Sequence, residues 1–225
     1  MINVTNGGMN VKYEHVPFIA VEGPIGVGKT SLSKKIATHF YFHLLKEIVE
    51  ENPFLGKFYD NIEEWSFQTE MFFLCNRYKQ LEDIEKHYLN NGKPVVSDYH
   101  IMKNMIFAKR TLQSQQFDKY EQIFNILTQD MPKPNVMIYI HASLDTLLER
   151  IERRGREVEQ NIQSSYLQQL SEDYDIFMDH FEAENPDIPV IRLNGDKLDF
   201  IEHQSDLDYI LSIVKQHIQK GEVLT

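Results

Sequence analysis

Residues 23–30 read Gly-Pro-Ile-Gly-Val-Gly-Lys-Thr. Glycines at both ends of the turn, with a lysine and a hydroxyl directly after the last, satisfy G-x-x-x-x-G-K-[ST] without a mismatch. Glycine lets the backbone curl so that successive N–H groups point inward at oxyanions. The apolar run Pro17 to Glu22 in front predicts a strand, and Ser31 to Phe40 behind predicts a helix whose positive N-terminal end faces the same anion. Gly23, Pro24, Ile25, Gly26, Val27 and Gly28 form the cradle, and Ser31 follows at the helix start. Lys29 reaches the β- and γ-phosphates of a nucleoside triphosphate, and Thr30 is placed to ligate Mg²⁺.

GTP switches and motor ATPases share such a loop, so the acceptor of the phosphate must be read elsewhere. There is no Asn-Lys-x-Asp guanine reader; Asn194-Gly-Asp-Lys197 resembles it only loosely. Asp98 ends the apolar segment Pro94 to Ser97 as a metal-binding aspartate does, yet Ile101 stands where a GTP switch has glycine. Arg150-Ile-Glu-Arg153-Arg154-Gly155-Arg156 follows a helical stretch. It predicts a lid, about residues 153–164, whose Arg154 and Arg156 cover the donor phosphates and exclude water. A solvated basic helix end is the plainer alternative.

An acceptor phosphate needs cations. Between Thr30 and Asp98 there is a single arginine, Arg77, among Glu47, Glu50, Glu51, Glu63, Glu64 and Glu70. An alcohol acceptor needs instead a carboxylate to take its proton. Glu47 lies near the end of the second predicted strand, where α/β sheets place ligands. A small kinase with a hydroxyl acceptor follows; a nucleoside monophosphate kinase is the runner-up, and a non-catalytic nucleotide-binding regulator is the alternative of a different class.

The elements that must position these groups alternate. Strands are expected at Pro17–Glu22, Phe42–Val49, Pro94–Ser97, Val136–His141 and Ile188–Leu193. Helices are expected at Ser31–Phe40, Glu63–Tyr88, Asn104–Arg110, Tyr120–Asp130, Leu144–Arg153, Ser165–Phe181 and Ser205–Lys220. In the long Glu63–Tyr88 segment the predicted inner stripe is Phe67, Met71, Leu74, Tyr78, Leu81 and Ile84. This alternation predicts an α/β fold: a five-stranded parallel sheet with helices on both faces and an arginine-rich lid. The first 15 residues read as a disordered leader and 16–225 as one domain, a size that 225 residues support. A net charge of −11 disfavours a nucleic-acid-binding face. No run approaches the roughly 20 apolar residues of a membrane span. The lone cysteine, Cys75, excludes an intrachain disulfide and reads as a buried thiol within MFFLC. A cytoplasmic location is expected.

With the loop GPIGVGKT, the stretch EIVEENPFLGKFYDNIEEWSFQTEMFFLCNRY, the DYH segment and RIERRGREVE in this order, the chain resembles the deoxynucleoside kinases, most closely their bacterial deoxyguanosine kinase branch. The resemblance covers nearly everything after the leader. It implies ATP-dependent phosphorylation of a purine deoxynucleoside at its 5′-hydroxyl, with Mg²⁺, in a homodimer. Glu47 matches the general base, Tyr59 and Glu159 the pair that meets the sugar 3′-hydroxyl, and Arg150 an arginine that stacks on the ATP base. Arg77 matches an arginine close to the nucleobase, and Asn104 stands where relatives place an acid near it. Glu70 occupies a position where many relatives carry glutamine. An ionised carboxylate only accepts, which suits the N1–H and N2–H₂ donors of guanine and so deoxyguanosine; deoxyadenosine or deoxycytidine are the alternatives. The family's acid-Arg-Ser triplet is Asp98-Tyr99-His100 here, so the arginine beside the 5′-oxygen is missing and Tyr99 is the candidate to donate there.

Overall fold

The computed structural model describes residues 2–6, 9–13, 15–49, 51–159 and 161–218. Its centre is β3 (Phe18–Glu22), buried at every position. On one side β5 (Val95–Ser97) pairs with it and β4 (His43–Leu45) lies outside; on the other come β6 (Val136–His141) and β7 (Val190–Asn194). All four pairings are parallel, and Ile19 has Val96 and Val136 as its two neighbours. Such runs are apolar throughout because helices cover both faces.

Alternating side chains along the strands define the two faces. Ile19, Val21, Ile138 and Ile140 pack with α1 (Lys29–Phe40), α6 (Leu144–Arg154) and α8 (Gln204–Ile218). Ala20, Met137 and Tyr139 pack with α2 (Leu55–Asp60) and α7 (Ser164–Glu184). A third cluster joins α3 (Ile62–His87), α4 (Lys103–Thr111) and α5 (Ser114–Thr128) to the β4–β5 edge. The chain leaves β3 in one direction for β4 and β5 and in the other for β6. The crevice beyond the carboxyl ends of the strands is therefore a topological switch point. Gly23, Glu47 and Asp98 all emerge there.

The predicted α/β fold and its five parallel strands are present, with differences that have local causes. The second strand stops at Leu45 instead of Val49. There Asp98 donates its N–H to the Leu45 carbonyl, and its carboxylate takes the Glu47 N–H at 2.6 Å, turning the chain out of the sheet. The helix α2 was not expected; the Asn52 side chain accepts the Phe54 N–H at 2.9 Å and starts it, and Leu55 and Phe58 bury it. α5 begins at Ser114 instead of Tyr120, because its first turns are polar and give no apolar period.

The buried line of α3 runs through Ser66, Thr69, Glu70, Phe73, Leu74, Arg77, Leu81 and Ile84. Phe67, Met71 and Tyr78 are only partly buried, so the predicted stripe is rotated toward polar residues that face a cavity. Cys75 is exposed, not buried as expected: MFFLC covers more than one helical turn and cannot all face inward. In place of the expected disordered leader, β1 (Ile2–Asn6) pairs antiparallel with β2 (Met9–Tyr13), Val4 opposite Val11. The sequence between the strands is Gly-Gly, a hairpin signal. The predicted end of α8 at Lys220 lies outside the described residues.

Candidate active site

The turn between β3 and α1 has the conformation its glycines require. Gly23 and Gly26 have φ of 147° and 88°. A Cβ on Gly23 would stand 2.2 Å from the Ile140 carbonyl oxygen, and one on Gly26 2.8 Å from that of Leu147. Lys29 opens α1 and donates from Nζ to the carbonyls of Gly23 and Pro24, at 2.7 and 3.0 Å. Burial, then repulsion from Lys103, lowers its pKa to about 8. The next residue, Thr30, donates from Oγ1 to Asp98 Oδ2 at 2.5 Å. An alcohol from the first turn of α1 and a carboxylate from the end of β5 thus meet beside the lysine. Glu22, which the sequence reading did not single out, accepts from the N–H groups of Gly23 and His100, tying the turn to the segment after β5.

Glu47 stands next to Asp98 and is gripped by two cations. Arg77 donates to its Oε1 from Nε at 3.1 Å and from NH2, and Lys103 donates to Oε2 at 2.8 Å. Burial alone would raise this carboxyl, but Lys103 and Arg77 together hold it well below the usual carboxylate range. Arg77 also donates from NH1 to Asn104 Oδ1 at 2.7 Å, and Asn104 donates to the Tyr120 hydroxyl.

These contacts correct two expectations. Tyr99 does not reach the site: it is 1% exposed in the cluster under α3, and its hydroxyl donates to Gln80. The backbone beyond β5 sends alternate side chains to opposite sides, and Asp98 takes the site side. Asn104 does not line the cavity but braces Arg77 from behind. The cation beside Glu47 that the missing arginine leaves wanting is Lys103, one position before Asn104. Its only sequence signal is the spacing with Phe107, which puts both on one face of α4; both line the cavity.

That cavity, about 690 Å³, has the size of a ligand site. Lys29, Thr30, Glu47 and Asp98 occupy its middle. At one end are Tyr59, Glu70, Phe73, Arg77 and Phe107. Glu70 is 1% exposed, and its Oε2 has no hydrogen-bond partner. Burial raises its pKa to about 8 against the pull of Arg77 and Lys103. Ile25, Gly26, Gly28, Ser31, Arg150 and Phe200 line the other end, with the Phe200 ring beside Gly28. Arg150 donates to the carbonyls of Val27 and Gly195, bridging the turn and the loop after β7. Gly23, Pro24 and Val27 are buried within the turn.

The arginine-rich segment closes over this cavity. Arg154 and Arg156 both donate to Glu159, which is 6% exposed, and all three line the cavity with Arg153. Glu159 also bears on Tyr59, whose hydroxyl is pushed up first by burial and then by that carboxylate. Of the acids that compete with Glu47 in the sequence, Glu51 also lines the cavity but is exposed, and Glu50 lies outside the described residues.

A phosphate cradle, a buried carboxylate and a cationic lid around one cavity can transfer a phosphoryl group. The deoxynucleoside kinase family profile matches residues 19–219. The chain belongs to the deoxynucleoside kinase family. Among curated relatives, deoxyguanosine kinase of Bacillus subtilis (strain 168) is 54% identical over 202 residues, covering 90% of this chain and 98% of the relative. Deoxyadenosine/deoxycytidine kinase of the same organism is 31% identical, covering 94% and 99%. A solved structure of deoxyadenosine kinase from M. mycoides, with dCMP and dCDP bound, superposes with a TM-score of 0.75 at 24% identity, covering 88% of this kinase and 99% of that chain. No helix among the described residues is long and apolar enough to cross a membrane.

Proposed function

We propose that this kinase transfers the γ-phosphoryl group of ATP to the 5′-hydroxyl of deoxyguanosine. The observation that carries the reading is the state of the two cations at the acceptor end. Arg77 and Lys103 are both spent on Glu47, which leaves neither to hold an acceptor phosphate and puts a carboxylate where an alcohol needs one. This favours a hydroxyl acceptor over a nucleoside monophosphate. In its ionised state Glu70 offers guanine two acceptors, and the 54% identity to a deoxyguanosine kinase points the same way.

Glu47 accepts the hydrogen bond of the 5′-hydroxyl, orients its oxygen in line with the γ-phosphorus and takes the proton as the bond forms. Lys29 and the backbone N–H groups of residues 23–30 hold the β- and γ-phosphates. Arg154 and Arg156 turn from Glu159 toward the charge on the transferring group as the lid, about residues 153–164, shuts out water. Tyr59 and Glu159 take the 3′-hydroxyl, and Arg150 lies against the ATP base. Thr30 and Asp98 would hold Mg²⁺. Among the described residues no cluster of three or more His, Cys, Asp or Glu could bind a metal. One alcohol and one carboxylate suit an ion that keeps its waters and shares the phosphate oxygens. Bound there, Mg²⁺ would neutralise charge on the β- and γ-phosphates.

The working unit is read as one domain, residues 16–225, acting in the cytoplasm as a homodimer. The partly buried aromatics on the outer side of α3, with Ile126 of α5 75% exposed, supply an apolar surface for the second copy.

A panel of tritiated nucleosides with ATP and Mg²⁺ tests the reading. Deoxyguanosine and deoxyinosine, which share N1–H, should yield 5′-monophosphates with matching ADP release, and dGMP should yield nothing. Phosphorylation of dGMP but not deoxyguanosine would make the chain a monophosphate kinase; ATP binding without nucleoside-dependent ADP release would make it a regulator. In the same assay, run at a pH above the Glu70 midpoint of about 8, Glu70→Gln should move the deoxyguanosine-to-deoxyadenosine preference by about 10²-fold toward deoxyadenosine, since two buried hydrogen bonds change partners. An unchanged ratio would mean the base is read elsewhere.

A further inference from the structure

We propose that Glu70 gives this kinase a second acceptor: with its carboxyl protonated the site takes deoxyadenosine, and with it ionised deoxyguanosine, so that one proton sets the choice of purine. The inference rests on the reading of Glu70 as the group that meets the base.

Glu70 sits on the cavity side of α3, 1% exposed, with Oε2 free of any hydrogen bond. Polar groups from several elements surround it. Arg77 faces it from α3, Lys103 from α4, whose Thr111 hydroxyl also hydrogen-bonds its carboxyl, and Glu47 from the segment after β4. The hydroxyls of Tyr59 on α2, Tyr120 on α5 and Tyr166 on α7 complete the ring. Neither cation is committed to Glu70: three Arg77 nitrogens serve Glu47 and Asn104, and Lys103 serves Glu47. The three phenols stay neutral, because burial raises each of them. Burial likewise lifts Glu70 to about 8, so both of its protonation states are within reach of ordinary pH.

The two states read different edges. A carboxylate offers two acceptors, which match N1–H and N2–H₂ of guanine. A carboxylic acid offers one O–H donor and one acceptor, which match N1 and N6–H₂ of adenine. Each state also rejects the other base. The acid would set its O–H against guanine N1–H, and the carboxylate would set a lone pair against adenine N1, leaving buried groups unmatched. Deoxyguanosine therefore drives the Glu70 proton out to solvent on binding, and deoxyadenosine keeps it in place.

The measurement is kcat/KM for both nucleosides at several pH values between about 6 and 8.5, spanning the Glu70 midpoint. Groups that act on the phosphoryl transfer serve both acceptors and cancel in the ratio. The ratio of deoxyguanosine to deoxyadenosine should rise about tenfold per pH unit, and in Glu70→Gln it should be flat. A flat ratio in the natural enzyme, with deoxyguanosine turned over, overturns the proton-set choice and leaves the deoxyguanosine reading standing. Failure to phosphorylate deoxyguanosine at any pH overturns both. Calorimetry of the natural enzyme near neutral pH, in two buffers of different ionisation enthalpy, gives a readout independent of any variant. Deoxyguanosine binding should release close to one proton more than deoxyadenosine binding; equal proton counts overturn the inference.

Discussion

Glu47→Gln should lower kcat by about 10²–10⁴-fold while the dissociation constant for deoxyguanosine changes by less than about tenfold. The amide keeps the shape of the side chain but cannot take the 5′-proton, so the loss falls on the chemical step. Glu47 is held ionised by Lys103 and Arg77, which makes it a weak base that is always ready. A weak base suffices where the transferring group departs early and the proton follows late. The substitution also leaves two buried cations without their anion, at a cost of about 3–5 kcal/mol, so a lower Tm should accompany the loss. Nucleoside binding measured by calorimetry separates the two effects. If turnover stays near that of the natural enzyme, Glu47 has no part in the chemistry.

Lys103→Met should reduce kcat by about 10²-fold, and Lys103→Arg should recover much of it. Lys103 is 7% exposed, bonded to Glu47, and close enough to Lys29 to depress it. Its ammonium bonds Glu47 and bears on Lys29 of the phosphate cradle, so under the proposed mechanism it stands near the charge that gathers during transfer. A purely structural role for Lys103 would lower stability and leave the kcat of the folded fraction intact. Restoration by Arg, with KM for ATP little changed, would mark the role as electrostatic. Loss of activity in both variants at equal fold stability would place the requirement in the shape of the lysine.

Much of this was readable in the chain itself, and the pattern of what was not has a physical cause. The phosphate turn is contiguous, and its glycines, lysine and threonine announce their geometry through spacing alone. Asp98 and Glu47 were legible because parallel strands deliver their carboxyl ends to one edge. Lys103 was not, because it meets Glu47 across 56 residues, and its spacing with Phe107 is too weak a local mark to single out one lysine in HIMKNMIFAK as inward-facing. Tyr99 was misplaced for a related reason: matching a triplet gives a position in sequence but not the side of the backbone from which the side chain leaves. The short α2 escaped because six residues hold less than two helical turns of period. The inner face of α3 escaped because a helix that lines a polar cavity buries Glu70 and Arg77 along with its apolar residues, which defeats a hydrophobic stripe.

A crystal structure with deoxyguanosine, Mg²⁺ and a non-hydrolysable ATP analogue bears most directly on the central claim, that Glu47 draws the proton from a sugar hydroxyl facing the γ-phosphate. It should place the 5′-oxygen about 2.6–3.2 Å from a Glu47 carboxylate oxygen, with the guanine N1–H and N2–H₂ on Glu70. A 5′-oxygen out of reach of every carboxylate, or a second nucleotide with its phosphate seated between Arg77 and Lys103, would contradict it.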